Sequence, residues 1–158
     1  MPIEIQYLER LPHVRVTLHG YCVHAEVIAA MHTFLPDPRT HELRDVLWDV
    51  RDAQVNCSAG QLREQIQLLG RYRRRHGWGL TVTVTPQASE CQQSCQAAAY
   101  AAMDDCQERI QVCRSMEEAI SMLEDIQQRF KHHEPGARSL GHGLPPELLA
   151  EARFRPAA

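Results

Sequence analysis

Residues 46–62 constrain the fold more than any other stretch of this chain. They begin with the apolar run Val46-Leu47-Trp48, continue through a mostly polar segment from Asp49 to Asn56, and enter a helical pattern at Ser58. A short apolar run bounded in this way is typical of a buried strand. A buried strand, a loop and a helix make half of a βαβ unit, and sites in open α/β sheets collect at the carboxyl ends of such strands. We therefore predict a loop after this strand and expect a functional site beside it.

Five segments have the alternating or β-branched pattern that predicts strands. They are residues 3–8, 13–18, 46–50, 80–85 and 109–113. The first two follow each other closely and predict an antiparallel hairpin, whose second strand we expect to end at Gly20. Helical spacing follows each of the last four, and residues 37–40 read as a loop. The order β-β-α-β-α-β-α-β-α predicts an α/β fold with a mixed, mainly parallel five-stranded sheet.

Length and composition predict one domain with a tail. A chain of 158 residues is large enough to bury a sizeable core, and we assign the domain to residues 1–131. Residues 132–158 are rich in Gly and Pro and contain one segment with helical spacing, residues 145–154. We expect this tail to be mobile or to dock on a partner.

Charge and hydropathy exclude several functional classes. The net charge of -3 gives no basic field for nucleic acid. No apolar run approaches the roughly 20 residues that a membrane span requires. The first residues have neither the basic region nor the apolar region of a signal peptide. We therefore predict a cytoplasmic protein, in which most of the six cysteines are thiols.

The order of elements and three local patterns resemble the STAS-like fold, and most closely its small bacterial SpoIIAA-like group. The patterns are the opening hairpin, the strand end at residues 46–51, and the strand at residues 110–113 followed by a Ser115 cap and a Glu117-Glu118-Ala119 helix start. The resemblance covers roughly residues 3–130. It implies a non-enzymatic regulatory or interaction module that binds a protein partner.

The resemblance also implies a phosphoacceptor. In antagonists of the SpoIIAA type, an Asp-Ser-Ser-Gly segment follows the third strand, and a partner kinase phosphorylates its first serine. This chain has Cys57-Ser58-Ala59-Gly60 at that place, so Ser58 matches the phosphoacceptor while Cys57 and Ala59 depart from the pattern. Ser58 and Gln61 also form a Ser-x-x-Gln capping box, which explains the serine without phosphorylation. The two roles are compatible, because a phosphate is favoured at a helix N-terminus.

The predicted binding surface combines the end of the third strand with the first turn of the following helix. Its residues are Asp49, Arg51, Asp52, Cys57, Ser58 and Gly60. The three charged residues form either a ligand or proton-transfer cluster or ordinary ion pairs that cap a loop. A protein partner, a small anion or apolar ligand, and a second copy of the chain all stay open as occupants.

A basic helix end follows this surface along the chain. It consists of Arg71, Arg73, Arg74, Arg75 and His76. We predict that these residues complement the helix macrodipole and are solvated. An acidic partner or a phosphate is the alternative. His24 and His32 lie on a predicted helix and are interpreted as surface residues.

The cysteines support an alternative function, a thiol-based redox or soft-metal-responsive protein. Cys91 and Cys95 are four residues apart on a predicted helix, so they share a face and offer two thiolate ligands. Cys57 stands at a helix start, which is expected to lower its pKa. Cys106 and Cys113 flank the last connection. The other interpretation is that the thiols are buried and act as small hydrophobic groups.

An enzyme is the third class considered. The sequence shows no readable pair of nucleophile and base and no Gly-rich phosphate loop. We therefore predict neither catalytic residues nor a cofactor.

Overall fold

The computed structural model describes residues 2–103 and 108–132, without the side chains at 88–91, 102, 108 and 130–132. Its elements are β1 Ile3–Leu8, β2 His13–Val23, α1 His24–Phe34, α2 Pro38–Leu43, β3 Val46–Asn56, α3 Ala59–His76, β4 Gly79–Val84, α4 Ala88–Met103, β5 Glu108–Cys113 and α5 Met116–His132. The predicted tail beyond residue 132, with its helix at residues 145–154, lies outside this range.

The strands form one sheet in the order β1-β2-β3-β4-β5. β1 is antiparallel to β2, and all the other neighbours are parallel. This confirms the predicted mixed, mainly parallel α/β class and the opening hairpin. β4 lies between β3 and β5 with all six of its residues buried. Alternation of apolar and β-branched residues therefore identified the strand that is most deeply buried.

Each strand after β2 is added to the same edge of the sheet. Right-handed crossovers then place the connecting helices on one face, which we call the first face. The side chains of β2 and β3 on this face pack with α1 and α3. α5 follows the last strand and packs on the second face. The core on that side consists of Leu47, Leu80, Val82, Val84, Cys113, Ala119 and Leu123.

Two strands are longer than the sequence predicted. β2 continues past Gly20 to Val23, and β3 continues to Asn56, so the predicted loop after Val50 is wrong. Residues 19–23 pair with residues 52–56 beyond the last β3–β4 pair, and we call this two-stranded part the strand extension. Gly20 has a φ of 66°, so it bends the strand and does not end it.

The predicted loop at residues 37–40 is also wrong, because a short helix, α2, begins there. The Asp37 carboxylate accepts a hydrogen bond from the backbone N–H of Arg39 at 2.9 Å. Pro38 occupies the first helical position, where no backbone donor is needed. The residues that we interpreted as a loop are therefore the start signal of a new helix.

Arg73 contradicts the prediction of a solvated basic helix end. Arg71, Arg74 and Arg75 are exposed, but only 1% of the Arg73 surface is accessible. The Nη2 of Arg73 donates to the backbone carbonyl of Arg44 at 2.6 Å. The guanidinium occupies the space that a side chain at Gly79 would need.

Candidate functional site

The structure separates the predicted site residues into two groups, and the first is an ion pair. Arg51 donates from Nε to Asp49 Oδ1 and from Nη2 to Asp49 Oδ2, both at 2.8 Å. The two residues are two positions apart on β3, so one pleat of the strand sets the bidentate geometry. Asp49 is buried, whereas the Arg51 side chain is 43% exposed.

The electrostatics around this pair do not favour an anion. Burial raises the pKa of Asp49, but the hydrogen bonds from Arg51 outweigh it and hold the pKa below its usual value. The Arg51 pKa is raised by Asp49 first, and also by the nearby carboxylates of Asp52 and Glu117. A small anion would meet these carboxylates beside an arginine that is already paired. The geometry supports the ion-pair interpretation of Asp49 and Arg51, whereas Asp52 is exposed.

The second group stands at the start of α3. Ser58 Oγ accepts from the backbone N–H of Gln61 at 3.2 Å, and Gln61 Oε1 accepts from the backbone N–H of Ser58 at 2.9 Å. This confirms the predicted capping box. Ser58 and Gly60 are exposed. Phosphorylation of Ser58 stays a prediction. The exposure of this residue is compatible with it.

Cys57 does not have the activated thiol that its position suggested. The residue is half-buried, and burial raises its pKa above the ordinary thiol value. Its Sγ lies 3.8 Å from the Nε2 of Gln65. No hydrogen bond between described residues joins Cys57 or Ser58 to the Asp49–Arg51 pair. The predicted residues therefore fall into two groups that no hydrogen bond between described residues connects, and a shared binding surface stays a prediction.

The remaining cysteines divide between core and surface. Cys22 and Cys113 are buried, as the small-hydrophobe interpretation predicted, and burial raises both pKa values, that of Cys113 to about 12. Cys95 is exposed, contrary to that interpretation. The Cys91 side chain and Cys106 lie outside the described part of the chain. Within that part, no group of three or more His, Cys, Asp or Glu side chains is arranged to hold a metal ion.

A cavity of about 110 Å³ lies between the first face of the sheet and helices α1, α3 and α4, and we call it the helix–sheet cavity. The sheet contributes Leu18, Trp48, Val50, Val55, Thr81, Thr83 and Ile110. The helices contribute Val27, Met31, Leu62, Gln65, Ile66, Leu69, Gln93, Ser94 and Ala97. Most of these side chains are apolar. Trp48 is only partly buried although it stands on the central strand, since it borders this space.

Gln65 lies at the end of a chain of hydrogen-bonding groups beside the cavity. His24 Nε2 is 3.0 Å from Glu64 Oε2, and His24 Nδ1 is 3.1 Å from Gln65 Nε2. The His24 side chain is only 14% exposed, so its interpretation as a surface residue is wrong. His24 begins α1 and the other two lie on α3. Sequence patterns gave no signal for this contact, because it depends on how two helices pack.

Two amides from the β4–α4 region cover the free edge of β3. Gln87 Nε2 donates to the Ala53 carbonyl at 3.3 Å, and Gln93 Nε2 donates to the Val55 carbonyl at 3.2 Å. Both carbonyls belong to the strand extension, beyond the last residue of β3 that pairs with β4. Gln93 also lines the cavity. The side chain that satisfies the strand edge therefore also contributes a polar group to the cavity wall.

None of the helices in the described residues is long and apolar enough to cross a membrane. No protein-family model matches the chain, and no curated protein matches it. It is similar to the crystal structure of an uncharacterized protein of the DUF3478 family with a SpoIIAA-like fold from Shewanella loihica PV-4. The identity is 11%, the TM-score is 0.48, and the match covers 77% of this chain and 91% of that chain. At this identity and TM-score the likeness carries no conclusion about function.

Proposed function

We propose that this chain is a non-enzymatic binding module of the STAS-like type, and that it binds a small apolar molecule in the helix–sheet cavity. The observation that carries this proposal is a largely apolar cavity of about 110 Å³ beside the central strand. Of the two predicted small-molecule ligands, we favour the apolar molecule over the anion, because Arg51 is already paired with Asp49.

The cavity volume limits the size of the ligand. An apolar protein cavity of about 150 Å³ binds benzene, so a slightly smaller, partly open cavity suits a molecule or an acyl segment of about six carbon atoms. Burying six carbons at about 0.8 kcal/mol each contributes about 5 kcal/mol. That free energy corresponds to a Kd on the order of 0.1–1 mM. A larger ligand that extends from the open side would bind more tightly.

Trp48 offers a direct measurement of binding. The chain has two tryptophans, so Trp78→Phe leaves Trp48 as the only indole in the protein. We expect titration with toluene to change the Trp48 emission and to saturate in the millimolar range or below. Absence of saturable binding, both by fluorescence and by calorimetry, would contradict the proposal.

A matched pair of α4 variants tests where the ligand binds. Ala97 lines the cavity and is buried, whereas Ala99 is exposed on the same helix. Ala97→Leu adds three carbons to the cavity wall and is expected to remove toluene binding. Ala99→Leu makes the same change outside the cavity and should leave binding intact. Equal affinity in the two variants would place the ligand elsewhere.

The exposed surface of the strand extension supports a second candidate function, binding of a protein partner. Tyr21 is 60% exposed and Val23 is 38% exposed, although both stand in a strand. The Tyr21 hydroxyl accepts a hydrogen bond from Asn56 at 2.6 Å, which holds the ring against the neighbouring strand. A second copy of this chain is the simplest partner to test. If this surface self-associates, sedimentation should show a dimer that Tyr21→Ser dissociates.

A further inference from the structure

We propose, on the basis of the proposed ligand site, that the ligand in the helix–sheet cavity carries an O–H or N–H donor. The side-chain carbonyl oxygens of Gln65 and Gln93 accept the hydrogen bond from this donor. Both glutamines line the cavity, one from α3 and one from α4. The inference follows from how the surrounding residues orient the two amides.

The orientation of the Gln93 amide is set by the sheet. Its Nε2 donates to the backbone carbonyl of Val55 at 3.2 Å. A carbonyl can only accept, so the amide nitrogen must face Val55. The Oε1 of Gln93 is therefore turned away from the strand edge, and it is an acceptor.

The orientation of the Gln65 amide is set by a relay of two residues. Glu64 Oε2 lies 3.0 Å from His24 Nε2, and a carboxylate accepts, so this ring nitrogen is the donor. Gln65 Nε2 faces His24 Nδ1 at 3.1 Å, and an amide nitrogen can only donate, so Nδ1 is the acceptor of this hydrogen bond. The same Gln65 nitrogen faces the Cys57 sulfur at 3.8 Å. The Gln65 Oε1 is left as the second acceptor.

Neither Oε1 accepts a hydrogen bond from the described part of the chain, since the contacts of Gln65 and Gln93 all run through their nitrogens or backbone. In the empty cavity water can satisfy these oxygens. A ligand without a donor displaces that water and leaves a buried carbonyl unpaired, which is unfavourable. A ligand with a donor replaces the water, so the site discriminates between two molecules of equal shape.

Phenol and toluene are the probes, because they have nearly the same size and only phenol can donate. The measured quantity is the ratio of their Kd values, determined by calorimetry for the full chain and its variants. Gln65→Met and Gln93→Met keep the side-chain length and remove the acceptor. We expect each to shift the ratio against phenol by about tenfold, the scale of one hydrogen bond, because phenol loses an acceptor and toluene no longer leaves a carbonyl unpaired.

Gln92→Met is the matched control, because Gln92 is an exposed residue of α4 next to Gln93. This substitution should leave the ratio of the phenol and toluene Kd values the same as in the original chain. If toluene binds and the ratio is the same in all variants, the donor inference is wrong and the proposed function stands. If neither probe binds the original chain, the proposed function fails and the donor inference fails with it.

Discussion

The guanidinium of Arg73 lies over Gly79, at the place where any other residue would carry its Cβ. Arg73 comes from α3 and Gly79 opens β4, so the contact joins the end of one element to the start of the next. A buried guanidinium requires hydrogen-bond partners, and the carbonyl of Arg44 supplies one at 2.6 Å. The absence of a side chain at Gly79 is what admits the arginine to the core.

Gly79→Ala should therefore destabilise the domain. A methyl group at this position overlaps the guanidinium, and overpacking of this kind costs about 1–3 kcal/mol. Urea unfolding measures the loss. Gly60→Ala is the control, because the nearest atom to its new methyl group is Ser58 Oγ at 4.0 Å and the residue is exposed. Equal free energies of unfolding for the two variants would show that the Arg73 guanidinium can move away from residue 79 without destabilising the domain.

Ser58→Ala should lower the free energy of unfolding by about 1 kcal/mol, the usual effect of losing an N-cap. The reason is the reciprocal pair of hydrogen bonds with Gln61. Ser121→Ala, at an exposed position inside α5, removes a hydroxyl without removing a cap and should change stability little. Ser58→Asp should keep the cap. A Ser58→Ala variant as stable as the original chain would mean that the cap contributes nothing.

The thiols should differ in their rates of alkylation at neutral pH. Cys95 is exposed and should react quickly, whereas Cys22 and Cys113 are buried and should resist until the chain unfolds. Burial also raises the pKa of Cys113 to about 12, which leaves almost no thiolate at pH 7. Mass spectrometry of alkylated peptides gives each rate. Fast labelling of Cys113 in the native protein would contradict the described core.

The Asp49–Arg51 pair should make stability depend on pH in the acid range. The folded-state pKa of Asp49 is held below the ordinary value of 3.8, so its contribution is present above that value and is lost as the pH falls below it. Asp49→Asn should therefore flatten the stability curve between pH 5 and the acid limit. Thermal unfolding at several pH values measures the slope. Glu124→Gln, at an exposed position of α5, is the control.

Local pattern was enough to identify the five strands, because each has a strong alternation or a run of β-branched residues. Their lengths were harder to predict. Residues 52–56 also alternate, with Ala53 and Val55 on the packed face, but the buried side chains are small and the other three residues are polar. The alternation that indicates a strand was therefore present in residues 52–56, but their polar composition led us to predict a loop.

The cavity and its polar groups could not have been predicted in this way. Gln65 and Gln93 occupy separate helices, and each looks like an ordinary polar residue in its own segment. Their roles depend on His24 and on the Val55 carbonyl, which only the packing of four elements brings close. The predicted site at the strand end differs in this respect. Its charged residues could be recognised in the sequence, but the sequence did not show that Asp49 and Arg51 form an ion pair with each other.

The position of α5 has a consequence for the protein while it is being synthesised. The helices of the first face are made along with the strands they cover, but α5 is made after β5, the last strand. Until it leaves the ribosome, Leu80, Val82 and Val84 form an apolar row with no described helix above it. The newborn chain therefore presents an apolar sheet surface while residues 85–132 are translated, which takes a few seconds at about 5–20 residues per second. Transiently exposed apolar surface of this kind is prone to aggregation, so the risk for this chain is greatest in that interval.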